Sequence, residues 1–407
     1  MNSAGGGAAL STIALMIGLR AEGIIPLAVC SDQGSNDEQK RLREATDGQV
    51  LFTQLYWWNR KIRSAWWKRP AIELRQIVRT GWGFRSADKV AEFAKTHGVD
   101  LIHTNTITTP EGGMAARRLG LPHVWHVREL VGKSAPFRLP LSGSRLRDYI
   151  TSHASKVVAN SNVTAAPLRQ WLPDDYLEVV PNGIDIGRFI PQPVVAEKRP
   201  LVVAMVGSLT SQWKKHDLFV EAAARVNPSL PIEWRIYGHD PSRGGTTAGN
   251  AYTDKVHSRI ARHNLAGRFV WPGFVADPVQ IMSEVDIVLH PADHESFGRV
   301  IVEAMAAGLP VVGVRGGGVG EIVEHGQTGL LAEPNDAAGL AAAVERLAGD
   351  AQLRQQFGAA GRRRAEEHYS QEACNRRILH VYSLAMVRRL GNTAAWPIDT
   401  TTTQVML

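Results

Sequence analysis

The stretch Asp286-Ile287-Val288-Leu289-His290-Pro291-Ala292-Asp293-His294-Glu295-Ser296-Phe297-Gly298-Arg299-Val300-Ile301-Val302-Glu303-Ala304-Met305 decides the fold. An apolar run of strand length ends at His290, a polar loop follows, and a helical pattern starts near Phe297 or Gly298. A strand that feeds a helix through a short loop is the repeating unit of a parallel sheet. The amides of Phe297, Gly298, Arg299 and Val300 are the unpaired donors of the helix start, where an anion is held by N–H groups and the helix dipole. Glu295 sits in the loop, and Glu303 lies roughly a turn and a half into the helix, so both can face one cleft. Two carboxylates for hydroxyls beside an amide nest for phosphate are what a nucleotide-sugar requires.

Outward from this stretch the same alternation continues. In the second half, strands are expected over 201–206, 233–237, 269–270, 286–290 and 310–314, with helices over 217–226, 252–264, 278–283, 299–307, 337–347 and 353–368. In the first half, strands are expected over 25–30, 99–103, 123–127, 156–159 and 177–180, with helices over 8–21, 38–45, 72–80, 87–97, 111–119 and 145–153. Short strands separated by helices mark parallel sheets covered on both faces, with ligands at the carboxyl ends of the strands. The 407 residues suit two such domains. Residues 1–190 form the first domain, a proline-bearing linker covers 191–200, and 201–370 form the second. A helix over 371–390 follows, and 391–407, with its threonine run, is expected to be a flexible tail.

Composition narrows the function classes. A hydrophobic fraction of 44% and a charged fraction of 21% are those of a soluble globular chain. The two cysteines, Cys30 and Cys374, allow at most one disulfide and point to a reducing compartment. The longest apolar stretch, residues 8–19, is interrupted by Ser11, Thr12 and Gly18 and is shorter than the roughly 20 residues of a spanning helix. No basic residue precedes Arg20, so it is also a poor signal peptide.

The central stretch resembles the Glu-x7-Glu motif of the retaining GT-B glycosyltransferases of group 1 (family 4). The flanking Glu-Ser-Phe-Gly and Glu-Ala-Met-Ala-Ala-Gly-Leu-Pro-Val-Val sharpen the resemblance. Further segments match in order: Val180-Pro181-Asn182-Gly183-Ile184-Asp185, Met205-Val206-Gly207-Ser208 with Trp213-Lys214-Lys215-His216, and then Gly316 to Glu321 and Gly326-Gln327-Thr328-Gly329-Leu330-Leu331, which resemble the family's glycine-rich loops near the diphosphate. The resemblance implies two Rossmann-like domains with parallel sheets facing across a cleft, and a C-terminal helix returning to the first domain. It implies that Glu295 contacts the donor sugar and Glu303 the nucleotide ribose. Gly207, Ser208, Phe274 and Val275 would complete the nucleotide site, the last two through main-chain contacts to the base. No cofactor is implied, because the UDP- or GDP-linked sugar is a substrate. No Asp-x-Asp motif is present and no metal is expected, so Lys214 is the cation aimed at the leaving diphosphate.

In the first half, Val124-Trp125-His126-Val127-Arg128-Glu129 ends a strand where the family often has a His near the donor sugar. His126 is therefore a candidate catalytic residue beside Lys214 and Glu295. His103 and Asn105 sit at a similar strand end. His123 and His126 are not a metal pair, since residues three apart on a strand face opposite ways. Gly5-Gly6-Gly7-Ala8 resembles the family's glycine-rich phosphate loop, with Gly6 and Gly7 as binding residues. Two departures stand out. Ser208 occupies the place of a common Arg, which Arg315 or Lys215 could replace in charge. The family also has a buried central strand before its glycine loop, whereas residues 1–4 are not strand-like, implying an upstream start or a weakened first domain.

The net charge of +7 equals that of residues 51–85, where eight basic residues meet the single acid Glu73. Five tryptophans lie there: Trp57, Trp58, Trp66, Trp67 and Trp82. If 55–69 is helical, Leu55, Trp58, Ile62 and Trp66 share a face, with Lys61 and Lys68 beside it. Tryptophan with Lys and Arg suits the interface of an anionic membrane. The other readings are a core-packed helix and a single-strand nucleic-acid surface. The membrane reading leads, with Trp57, Trp58, Lys61, Trp66, Trp67 and Lys68 as its residues and no nucleic-acid partner. The chain is thus expected to be a cytoplasmic transferase, peripheral on the inner membrane face, acting on a glycan or lipid-linked acceptor. A nucleotide-sugar epimerase of the same fold and a non-catalytic binding protein are the alternatives, since fold alone does not set function.

Overall fold

The structure, a computed structural model, describes residues 7–58, 60–61, 69–132, 137–191, 199–209, 212–240, 251–390 and 403–407, with the backbone alone over 60–61 and 69–82 and at 390. Two compact units emerge, Met1–Gly183 with Gln371–Leu407, and Ile184–Ser370.

In the first unit the elements run α1 (Gly7–Ala21), β1 (Ile25–Ser31), α2 (Asn36–Ala45), β2 (Val50–Thr53), β3 (Arg60–Lys61), α3 (Arg69–Thr96), β4 (Leu101–Thr104), α4 (Glu111–Leu119), β5 (His123–Val127), β6 (Phe137–Arg138), α5 (Gly143–His153), β7 (Lys156–Ala159), α6 (Asn162–Arg169) and β8 (Leu177–Val179). In the second they run β9 (Leu201–Val206), α7 (His216–Ala223), β10 (Ile232–Tyr237), α8 (Ala251–Arg262), β11 (Phe269–Gly273), α9 (Pro278–Ser283), β12 (Ile287–His290), α10 (Arg299–Ala306), β13 (Val311–Val314), α11 (Val319–Ile322), β14 (Gly329–Ala332), α12 (Ala337–Gly349) and α13 (Ala351–Tyr369). The chain then returns to the first unit with α14 (Gln371–Leu390) and β15 (Gln404–Met406).

Among the described residues the first unit holds a seven-stranded parallel sheet in the order β2-β1-β15-β4-β5-β7-β8. The central strands are buried and largely apolar because helices cover both faces. Leu15 and Leu19 of α1 pack with Ile378, Tyr382 and Ala385 of α14 over Leu101, Val124 and Val158. On the other face, Val90 and Ala94 of α3 and Ala115 of α4 meet Leu27, Ile102 and Met406.

Two expectations are corrected in this unit. The end of the supposed flexible tail is a central strand: Val405 pairs with Pro26 on one side and with Leu101 on the other, and it is fully buried. It fills the place between β1 and β4 that residues 1–4 leave without a strand-like sequence. The driving force is burial of Val405, Met406 and Leu407 where the sheet would otherwise have two open edges. Residues 391–402 lie outside the described residues.

The single helical face drawn from Leu55 to Trp66 also fails. Residues 54–58 are not helical, and Arg60–Lys61 is a strand antiparallel to Phe137–Arg138. Trp58 is a core residue, with its indole N–H donating to the Ile107 carbonyl at 2.6 Å and its ring stacked on Trp125. Burial of so large an apolar surface outweighs an interfacial role for it. Trp57 beside it is 51% exposed. Trp66, Trp67 and Lys68 lie outside the described residues.

The second unit has, among its described residues, six parallel strands in the order β11-β10-β9-β12-β13-β14. Three of its helices start on side-chain caps: Asp277 accepts from the Val279 amide at α9, Asp336 from Gly339 at α12 and Asp350 from Leu353 at α13. Pro278 stands at the first position of α9, where its missing N–H costs nothing. The unit begins at Ile184, upstream of the expected linker, because Ile184, Ile186 and Phe189 are buried in its core. Residues 192–198 of that linker are outside the described residues. Gly329–Leu331, expected in a phosphate loop, is instead buried strand β14, where a Cβ on Gly329 would stand 2.3 Å from the Val311 carbonyl.

Candidate active site

In the second unit the carboxyl ends of β9 and β12 bring Lys214 and Glu295 together. Lys214 Nζ donates to Glu295 Oε2 at 2.6 Å. The lysine stem lies over Gly207, where a Cβ would come within 3.2 Å of Lys214 Cγ, so glycine makes room for it. His290, the last residue of β12, places Nε2 3.3 Å from the same carboxylate oxygen, outside good hydrogen-bond geometry. Burial acts to raise the Glu295 pKa, but the Lys214 charge and the His290 contact outweigh it and hold the carboxyl well below the usual range. His290 is itself pushed below its ordinary value, chiefly by burial, and is neutral at pH 7.

The loop carrying Glu295 is clamped from behind. The Gly318 amide donates to the Glu295 carbonyl at 2.7 Å, and Cβ atoms on Gly317 and Gly318 would fall within 2.6 Å of the Glu295 and Phe297 carbonyls. Only glycine permits this approach, and Gly317 also has a positive φ of 55°. Gly298, with φ 102°, turns the chain into α10, whose start carries Arg299 and Val300. Phe297 is buried in the core below. Glu303 is buried and accepts from Arg299 Nε at 2.7 Å. Burial raises its pKa, with Arg299 opposing.

Around this centre, Ser208 Oγ donates to the His239 carbonyl at 3.2 Å. Neither residue considered as a substitute for its missing charge is uncommitted: Lys215 binds Asp293 at 2.6 Å and Asn335 at 2.7 Å, and Arg315 pairs with Glu333 at 3.2 Å. Phe274, just past β11, is 61% exposed, and Val275 packs against the core. No group of three or more His, Cys, Asp or Glu side chains among the described residues could hold a metal ion.

In the first unit, His126 near the end of β5 is buried, with Nδ1 3.2 Å from His103 Nε2. His103 Nδ1 is 2.7 Å from the Tyr382 hydroxyl of α14. Arg128 reaches Asn105 Oδ1 at 2.8 Å and bonds Asn182. His123 faces the other way, to Thr104 and the His153 carbonyl. Gly7 opens α1, where a Cβ would meet nothing within 4 Å, and Gly6 lies outside the described residues. The sequence reading assigned no role to His290 or Tyr382, and gave Gly317 and Gly318 only as part of a glycine-rich loop near the diphosphate. The glycines stood within a quoted segment, but their partners are distant in the chain and left no local signal.

Comparison with known proteins supplies the family. Residues 188–364 match the model of "Glycosyl transferases group 1", and residues 5–188 match "Glycosyltransferase Family 4". A D-inositol 3-phosphate glycosyltransferase of Jonesia denitrificans is 27% identical over 72% of this chain and 74% of its own. A glycogen synthase of Mycobacterium tuberculosis is 31% identical over 51% of this chain and 49% of its own. Anabaena HepE, solved with UDP-glucose, is 25% identical over 94% of this chain and 98% of its own, at a TM-score of 0.71. With two parallel-sheet units, the Lys214–Glu295 centre and family models matched from residue 5 to residue 364, the chain belongs to the group 1 glycosyltransferases of GT-B fold and is a glycosyltransferase enzyme.

Proposed function

We propose that the chain transfers a sugar from a nucleoside-diphosphate sugar to a hydroxyl with retention of anomeric configuration. The Lys214–Glu295 pair beside the start of α10 carries this reading. Glu295, held ionised, accepts hydrogen bonds from the donor sugar's hydroxyls. Lys214 faces the diphosphate, where negative charge grows as the glycosidic bond breaks, and the α10 amides share that charge. The anomeric C–O bond to phosphate breaks and the bond to the acceptor oxygen forms on the same face. The acceptor proton passes to the leaving phosphate, so no protein nucleophile takes part. The UDP and UDP-glucose complexes of HepE support a uridine donor.

Stabilisation by a panel of nucleoside diphosphates, compared with Glu303→Ala, tests the site, and the anomeric coupling of the purified product tests retention. A UDP or GDP shift that Glu303→Ala abolishes is the expected result. An inverted product overturns retention. Absence of any nucleotide shift overturns the donor site.

No helix among the described residues is long and apolar enough to cross a membrane. The concentrated charge of residues 51–85 and exposed Trp57 support peripheral binding at the cytoplasmic face of an anionic membrane, with a lipid-linked or glycan acceptor. Co-flotation with anionic but not zwitterionic vesicles tests this, and equal recovery with both overturns it.

A further inference from the structure

Near the carboxyl ends of β4 and β5, three buried polar side chains form a line. The Tyr382 hydroxyl meets His103 Nδ1 at 2.7 Å, His103 Nε2 meets His126 Nδ1 at 3.2 Å, and His126 Nε2 is buried with no partner among the described residues. The line joins three elements: β4, β5 and helix α14, which follows the second unit in the chain.

Two proton arrangements keep both contacts. In the first, Tyr382 O–H donates to His103 Nδ1, His103 Nε2–H donates to His126 Nδ1, and His126 carries its proton on Nε2. In the second, His126 Nδ1–H donates to His103 Nε2, His103 Nδ1–H donates to the Tyr382 oxygen, and His126 Nε2 is a bare acceptor. His103 is the one hydrogen-bond partner of the Tyr382 hydroxyl among the described residues. The second arrangement therefore leaves the phenol proton without an acceptor inside a buried site. The first leaves one buried polar group unmet, at His126 Nε2, and the second leaves two. The extra unmet group favours the first by roughly tenfold or more. Charged rings do not compete, because burial pushes both imidazoles well below their ordinary pKa and the nearby Arg128 cation adds to this.

We infer that Tyr382 and His103 are positioning residues that lock His126 in its Nε2–H tautomer, so that a ligand oxygen reaching Nε2 meets a hydrogen-bond donor and not an acceptor. The ligand rests on the glycosyl-transfer reading, while the tautomer does not. The buried, unmatched N–H is the group that such an oxygen would satisfy.

The test is a long-range proton–nitrogen correlation spectrum of the full chain labelled with 15N-histidine, recorded without ligand, with His126 assigned through His126→Asn. The expected wild-type pattern has the proton on Nε2 and a bare Nδ1. In Tyr382→Phe both arrangements leave two groups unmet, so His126 is expected to show a mixture of tautomers in an otherwise native fold. A proton on Nδ1 of His126 in the wild type overturns the inference, as does a Tyr382→Phe spectrum identical to the wild type. Should Tyr382→Phe not fold, the wild-type spectrum alone decides. The transfer reading fails separately, through the nucleotide panel.

Discussion

Lys214 and Glu295 form an ion pair at 2.6 Å. One is a cation over a glycine, the other a buried carboxylate whose ionised form Lys214 secures. Removing the cation should cost the transition state more than the ground state, because charge on the leaving diphosphate grows as the bond breaks. Lys214→Ala is therefore expected to lower kcat by about 10²–10³-fold, read in initial-rate assays at saturating donor, with a smaller change in KM. An equal loss carried by KM alone would place Lys214 in ground-state binding. The pH dependence of stability has a definite sign at Glu295. Its folded pKa is depressed, so its contribution is present above the unfolded value of about 4.3 and is lost as pH falls toward the folded value. The stability gap between wild type and Glu295→Gln, from urea unfolding, should narrow below about pH 4.3. A gap unchanged down to acid pH would mean that Lys214 does not secure the charge.

At the scale of elements, β15 matters most. Its residues are sparse in chain terms, yet Val405 stands between two strands in the middle of the first unit's sheet. Val405→Asp would bury a carboxylate with no partner, at a cost of more than about 4 kcal/mol. Limited proteolysis of that variant is expected to open the first unit while residues 184–370 stay resistant. A wild-type digestion pattern would show that β15 is dispensable. The loop behind Glu295 depends equally on the absence of a side chain. Gly318→Ala places a methyl 2.3 Å from the Phe297 carbonyl, so the loop must shift. The expected result is a loss of roughly 1–3 kcal/mol in chemical denaturation, together with a weakened nucleotide shift. Retention of both would show that the loop relaxes without moving Glu295.

Across the whole molecule, the buried neutral histidines set the response to acid. Burial is the leading cause that lowers the pKa of His103, His123, His126, His216 and His290. For a depressed base the unfolded chain takes up the proton first. Stability is full above about pH 6.5 and falls as pH drops below it, continuing to about 4 for His123 and His216. Thermal melts from pH 7.5 to 5 should show a falling midpoint well before the carboxylates titrate. A flat midpoint across that range would contradict burial of these rings in the neutral form.

What the sequence determined by itself was local and periodic. Apolar runs of strand length alternated with helical patterns, which is enough for two parallel-sheet units. The family resemblance carried by Glu295, Glu303 and the residues that flank them pointed to the candidate centre, because that whole segment lies within one strand–loop–helix unit. What only the tertiary structure decided was contact between distant residues. Trp58 went to the core because Ile107 and Trp125 receive it, and charge clustering along the chain could not show that. Tyr382 reached His103 across 279 residues, and Gly318 reached Glu295. Above all, residues 404–406 became a central strand. A short apolar run after a threonine-rich segment has no periodicity of its own, and its burial depends on a slot between β1 and β4 that exists only once the sheet has formed.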